Sequence, residues 1–239
     1  MARILMVLSG SDHWTLKDGT RHPTGYWAEE FAVPHQMFRR AGLDVQISTP
    51  GGARPKVDEV SLTPERNGGD QQKAEALRNY LESIDAELAR PLPLEDAAAR
   101  SGDHDAVFIP GGHAPMEDLP TNTALGAVLT DLWNSGRLVA AICHGPAGLL
   151  SANKEDGTWL FAGRRLTAFT DEEERQAGLA DRAPWLLESR LRERGAAFES
   201  GPPWQPYVVV DDNLLTGQNP ASSEDAASRA LGMLQALQR

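Results

Sequence analysis

Cysteine occurs once in this 239-residue chain, as Cys143, and His144 follows it directly. A deprotonated thiol is a strong nucleophile, and an adjacent imidazole is a base suited to taking its proton. The segment reads Leu138-Val-Ala-Ala-Ile-Cys143-His144-Gly145-Pro146-Ala147-Gly148, a buried strand that runs into residues suited to open a helix. Pro146 fits a first helical position, because the N–H it lacks would be unpaired there. Cys143 then occupies a sharp strand-to-helix turn at the carboxyl edge of a sheet, at the positive end of a helix dipole. That context predicts a depressed thiol pKa and a sulfur held out into a cleft. The plain alternative is that Cys143 is one more small buried hydrophobe ending a core strand; the elbow context favours the nucleophile.

A second strand, Ala106 to Ile109, ends in Pro110-Gly111-Gly112-His113. Ends of parallel strands meet at one edge, so this loop is expected beside Cys143 at a topological switch point. Its N–H groups, with that of His144, are candidates for an oxyanion hole; the plain alternative is a glycine turn. The six histidines are 13, 22, 35, 104, 113 and 144, so none lies downstream of the Cys-His pair. This excludes papain-like proteases, α/β-hydrolases and amidotransferase-type glutaminases, whose triad histidine comes well after the nucleophile. His144 therefore needs a carboxylate from a later loop to orient it. The acidic run Asp171-Glu172-Glu173-Glu174, after an apparent strand Arg165 to Phe169, offers four, and charge alone does not choose among them. Glu30 lies in an early helix with Pro34 in its interior, which predicts a kink or an end near Glu30. In a dry pocket beside a thiolate, Glu30 would stay protonated and donate to sulfur; otherwise Glu29-Glu30 is a surface pair in a first turn.

Short apolar runs at Ile4 to Leu8, Val45 to Ser48, Ala106 to Ile109 and Leu138 to Cys143 alternate with helix-period segments, the pattern of a parallel sheet covered on both faces. From Asp70 to Arg90, Leu77, Leu81, Ile84 and Leu88 form one stripe, capped by Asp70 and stopped by Pro91. Leu125, Val128, Leu129, Leu132 and Trp133 form a second, closed by Gly136. Val208-Val209-Val210 and Leu214-Leu215 flank Asp211-Asp212-Asn213, a hairpin. A last helix after Ser222 or Ser223 turns Ala226, Ala227, Ala230, Leu231, Leu234 and Leu237 inward. Gly51–Gly69 and Pro91–Asp105, rich in Pro, Gly and charge, read as surface loops around the Asp70 helix. The expected organisation is a single domain over 1–239, with a helical insertion at about 52–105.

Acidic residues number 34 against 23 Lys plus Arg, a net charge of −11, which argues against nucleic acid or an anionic membrane as partner. The longest wholly apolar run, Leu138 to Cys143, is far too short to span hydrocarbon. Ile4 to Leu8 is too short for a secretory segment and is followed at once by Ser9-Gly10-Ser11-Asp12. One cysteine precludes an intrachain disulfide and suits a reducing cytoplasm.

The chain resembles the DJ-1/PfpI superfamily, in particular the branch of heat-shock protein 31 chaperones and glutathione-independent glyoxalase III enzymes. The resemblance spans almost the whole chain. It rests on Thr24-Gly25 with Glu30 and Pro34, Gly111-Gly112-His113, Ala141-Ile142-Cys143-His144-Gly145-Pro146, Phe169-Thr170-Asp171 with Glu174, and Thr216-Gly217-Gln218-Asn219-Pro220-Ala221-Ser222. It implies a flavodoxin-like, doubly wound α/β fold of the class I glutamine amidotransferase-like type, its mostly parallel sheet carrying helices on both faces and a nucleophile elbow. It implies Cys143 as nucleophile, His144 as its base, Glu30 touching the sulfur and Glu174 as the acid behind His144. Gly111, Gly112 and His113 would line the substrate. Ala114 and Pro115 replace the glycine that often follows Gly-Gly-His, and Glu172 and Glu173 leave Asp171 open as an alternative to Glu174.

The implied activity is a glyoxalase III-like lyase that converts methylglyoxal or related 2-oxoaldehydes to hydroxy acids with no metal or organic cofactor. Homodimerisation is a further implication of the resemblance. Alternatives are a stress-response holding chaperone for unfolded clients or a thiol redox sensor and, ranked lower, a cysteine protease, amidase or protein deglycase.

Overall fold

Seven strands make one sheet in a computed structural model that describes residues 2–237. In chain order the elements are β1 (Arg3–Val7), β2 (His13–Thr15), β3 (Arg21–Pro23), α1 (Ala28–Arg40), β4 (Asp44–Thr49), α2 (Gln71–Ser83), α3 (Asp85–Leu88), β5 (Leu92–Pro93), α4 (Leu94–Ala99) and β6 (Ala106–Ile109). There follow α5 (Pro115–Asp118), α6 (Thr123–Asn134), β7 (Leu138–Ile142), β8 (Arg165–Leu166), α7 (Asp171–Ala177), α8 (Leu187–Glu193), β9 (Ala197–Phe198), β10 (Val208–Asp211), β11 (Leu214–Gly217) and α9 (Ser223–Leu237). The large sheet runs in the order β10-β11-β7-β6-β1-β4-β5, and every pairing in it is parallel except β10 with β11. β2–β3 and β8–β9 form two small ribbons.

Alternate residues of the central strands face opposite layers, so each feeds two cores. Leu5, Val7, Val107, Ile109, Val139 and Ala141 pack beneath α4 and α6. Ile4, Met6, Phe108, Ala140 and Ile142 pack against α1, α2 and α9. Because β1 has β4 on one side and β6 on the other, the strand order reverses between β1 and β6. The carboxyl ends of β6 and β7 open beside that reversal, where ligands of doubly wound sheets bind.

Asp70 caps α2 through Lys73 N–H at 3.0 Å, Gly136 adopts φ 68° after α6, and the β10–β11 hairpin turns at Asp212 with φ 59°. Ala226, Ala227, Ala230 and Leu234 are buried, and Leu231 packs at the margin; the side chain of Leu237 lies outside the described residues. Among the described residues no helix is long and apolar enough to cross a membrane.

Five expectations need correction. The Asp70–Arg90 helix is broken at Ile84 (φ −111°, ψ 16°) into α2 and α3. Leu77, Leu81, Ile84 and Leu88 still reach one core, which is why the stripe concealed the break. Pro91–Asp105 is not a surface loop: β5 pairs with β4 at the sheet edge, and Leu94 and Ala97 of α4 are fully buried. Gly51–Gly69 likewise holds three single-turn 3₁₀ segments and buries Ser61, Leu62 and Asn67. The apparent strand Arg165–Phe169 shrinks to two residues that pair with β9 outside the main sheet. Helix α1 does not end near Glu30. It starts at Ala28 and continues through Pro34 to Arg40, because buried Phe31, Ala32, His35 and Phe38 hold it against the sheet and one missing N–H is affordable.

Candidate active site

Cys143 follows β7 directly with φ 58°, a left-handed conformation that a non-glycine residue adopts at a cost. Its N–H donates to Gly217 O at 2.8 Å and its carbonyl accepts from Phe169 N–H at 2.9 Å, so β11 and the segment before α7 hold the elbow from two sides. The neighbouring backbones approach too closely for side chains. A Cβ on Gly145 would lie 2.1 Å from Ile109 O, and one on Gly111 would lie 2.5 Å from His144 N. The turn then enters a 3₁₀ segment, Gly145–Ser151, where an α-helix was expected.

The sulfur is buried, 3% exposed as a residue, yet it is not among aliphatic neighbours alone. It lies 3.4 Å from His144 Nδ1. His144 Nε2–H donates to Glu174 Oε2 at 2.7 Å, which leaves Nδ1 free to accept a proton. Of the two acids left open, Glu174 meets His144; Asp171 accepts instead from the Ser189 hydroxyl at 2.5 Å and its backbone N–H at 3.3 Å. Glu174 also takes a bond that sequence reasoning missed: its Oε1 accepts from His113 Nε2 at 2.8 Å. The two imidazoles lie 4.1 Å apart with their planes tilted by 41°, Phe169 covers His144 at 4.4 Å, and Trp14 stacks on His113 at 5.4 Å. His113 is thus anchored to the site's acid and forms part of the cavity wall.

Glu29 and Glu30 part company at the start of α1. Glu29 pairs with Lys73 at 2.6 Å, whereas Glu30 is fully buried. The start of the helix is pinned by Trp27 N–H to Gly111 O at 3.0 Å and by Ala28 N–H to Ser61 Oγ at 2.9 Å. Gly111 N–H donates to Glu30 Oε2 at 2.7 Å, so this amide is not free for an oxyanion, contrary to expectation. The Gly112 N–H is directed at the sulfur. Glu30 Oε1 is buried without an ordinary hydrogen-bond partner, and the carboxyl is near enough to the Cys143 thiol for each to shift the other's pKa. Burial raises the Glu30 pKa to about 8.

The thiol itself is pushed up, first by burial and then by Glu30, which corrects the expectation of a depressed pKa. The short 3₁₀ segment supplies too little dipole to offset desolvation. His144 is held below the ordinary imidazole range by burial and by neighbouring His113, so it is neutral at pH 7. Although burial alone would raise it, Glu174 sits well below the usual carboxylate range, because His113 and His144 face it.

Glu173, next to the acid, was missed as well. Its buried carboxylate closes a capping box with Thr170 and accepts from Trp204 N–H at 2.9 Å, Gln218 Nε2 at 3.1 Å and Asn219 Nδ2 at 2.8 Å. The Thr216–Ser222 motif therefore positions α7, and with it Glu174. The signal was the Thr170-x-x-Glu173 spacing. His113, His144 and Glu174 offer three ligand atoms within 4.8 Å of one another, but a metal ion there would displace both imidazole–carboxylate bonds.

A cavity of about 720 Å³ opens over Cys143, His144, Gly112 and His113, walled by Trp27, Phe169 and Trp204. A thiol on a strained elbow at a sheet's switch point, backed by an imidazole and a carboxylate, defines a class of α/β proteins built for cysteine nucleophiles. The chain belongs to the DJ-1/PfpI family, whose profile matches residues 24–232. It is 31% identical to the glutathione-independent glyoxalase hsp3101 of Schizosaccharomyces pombe, covering 99% of this chain and 98% of that one. The crystal structure of glyoxalase III from Candida albicans superposes with a TM-score of 0.80 at 26% identity, covering 97% of this chain and 96% of that one. The protein/nucleic acid deglycase HchA of Staphylococcus aureus is 27% identical over 99% of this chain and 81% of its own length.

Proposed function

We propose that the protein is a glutathione-independent glyoxalase III-like lyase that turns methylglyoxal or a related 2-oxoaldehyde into a 2-hydroxy acid. The observation that carries this reading is Cys143 on its elbow, with the sulfur 3.4 Å from a neutral imidazole whose far nitrogen donates to Glu174 at 2.7 Å.

The resting sulfur is a thiol, so deprotonation accompanies attack. His144 Nδ1 takes the S–H proton as sulfur bonds to the aldehyde carbon, and the carbonyl oxygen takes a proton from Glu30, giving a hemithioacetal. Glu30, now the carboxylate, removes the hydrogen on that carbon while the His144 imidazolium protonates the ketone oxygen, giving an enediol; Glu30 then returns its proton to the neighbouring carbon as His144 takes the other hydroxyl proton, which leaves a thioester of the hydroxy acid. Water cleaves the thioester, releasing the acid and restoring the thiol. Carbon oxidation is redistributed within the substrate, and one water is consumed. Glu174, kept ionised, holds the His144 tautomer and stabilises the imidazolium that forms.

Following lactate from methylglyoxal tests the scheme. Cys143→Ala is expected to lose nearly all turnover, at least ~10³-fold; turnover retained in that variant refutes the mechanism, and a parent protein without turnover refutes the activity. The deglycase reading draws on the S. aureus relative and uses the same sulfur on a 2-oxoaldehyde adduct.

A further inference from the structure

The conversion of a three-carbon aldehyde needs little room, yet the cavity holds about 720 Å³, a volume usual for drug-sized ligands. Its solvent end has an unusual composition. Among the described residues the large hydrophobics most exposed to water are Val60, at 50%, and Trp204, at 39%, and both line this cavity. They come from segments distant in sequence, the turn after Asp58 and the loop before β10, so the coincidence is not a feature of one loop.

Trp204 is also held there at a cost. Three non-glycine residues among those described have positive φ: Cys143, Trp204 (φ 62°) and Asp212. Asp212 sits in a hairpin turn, where that conformation is ordinary. Trp204 is the third residue of the Pro202–Gln205 turn, closed by Gln205 N–H to Pro202 O at 3.2 Å, a position that needs positive φ and suits glycine, so a bulky aromatic side chain holds it at a cost. Its N–H donates to buried Glu173 Oε1 at 2.9 Å and its indole N–H to Gln176 Oε1 at 2.5 Å, while its ring meets Phe169 edge-on at 5.5 Å. Phe169 in turn lies on His144. A half-exposed indole fixed by two hydrogen bonds and a strained backbone, in contact with the ring that covers the catalytic imidazole, is preorganised to receive an apolar group.

From this geometry we infer that Trp204 and Val60 form a subsite for the substituent of the oxoaldehyde, and that the substrates preferred are 2-oxoaldehydes carrying an aryl or bulky apolar group. The inference rests on the activity proposed above. An aromatic substituent would stack on or pack edge-to-face against the indole, and the reacting aldehyde would extend to the sulfur.

Two measurements separate this subsite from the activity itself. The first is the ratio of kcat/KM for phenylglyoxal to that for methylglyoxal. A ratio of about tenfold or more is expected in the parent, retained in Trp204→Phe and collapsing in Trp204→Ala, with Val60→Ser lowering it less. A parent ratio near one, or a ratio unchanged in Trp204→Ala, overturns the subsite while leaving the activity standing. The second measurement needs no turnover: competitive binding of the products, mandelate against lactate, with Val60→Ser as an exposed-site variant that keeps the fold. Mandelate is expected to bind about tenfold more tightly, and Trp204→Ala to erase the difference. Equal binding of the two acids overturns the subsite, and a preference for mandelate in a protein that turns over neither aldehyde keeps the subsite and refutes the activity.

Discussion

Two buried carboxyl groups flank the same Cys-His pair, and they have opposite fates. Glu30 has one oxygen on the Gly111 N–H and one without an ordinary partner, so burial dominates and its pKa rises to about 8. Glu174 is almost as deeply buried, but two imidazoles face it, one on each oxygen, and it is held well below the usual range. Residue type and burial are nearly shared, so the difference lies in the partners. One carboxyl holds its proton at neutral pH and the other is an anion, and in the mechanism proposed above the pair divides acid from base work around one sulfur.

The contrast can be broken at either end. The larger effect is expected at Glu174, because its charge holds the His144 tautomer. Glu174→Gln should lower kcat by ~10²- to 10⁴-fold, read as lactate formation at pH 7. A loss under tenfold would mean that His144 does not depend on that anion.

The smaller effect is on stability. Glu30 has a folded pKa above its ordinary value of 4.5, so its contribution is fully present below pH 4.5 and is lost as pH rises through about 8. Glu30→Gln keeps an acceptor for Gly111 N–H and cannot ionise. Denaturant melts at a series of pH values should therefore show the variant gaining on the parent by up to ~1.4 kcal/mol per pH unit across that window. Parallel stability curves would place the ionisation of Glu30 outside it.

Much of this arrangement was legible in the residues. Strand Ala106–Ile109 has the bounds its apolar run suggested, the Cys143 turn follows a strand as its neighbours required, and Asp70, Gly136 and the Asp211–Asn213 turn do what their residue types do best. The helices hidden in Pro91–Asp105 were not read, because proline, glycine and charge suggested a loop, although Leu94-Glu95-Asp96-Ala97 carries first-turn acids and apolar residues one turn apart. The two-residue β5 is too short for any periodicity. At the site, Cys143 and His144 could be chosen from local context, whereas Glu30 stayed open between a pocket acid and a surface pair until the resemblance placed it at the sulfur. Choosing Glu174 over Asp171 required the rotation of α7, which the Thr170–Glu173 capping box sets. The second imidazole on Glu174 and the depth of burial that raises the thiol depend on contacts between segments far apart in sequence, which spacing does not record.

The most direct test of the division of labour is the protonation state of Glu30 itself. Infrared difference spectra of the parent against Glu30→Gln, recorded from pH 5 to pH 10, should show a carboxylic acid C=O band that is present at pH 7 and disappears with a midpoint near pH 8. A band already gone by pH 5 would show an ionised Glu30 and contradict the assignment of this residue as the donor at the sulfur.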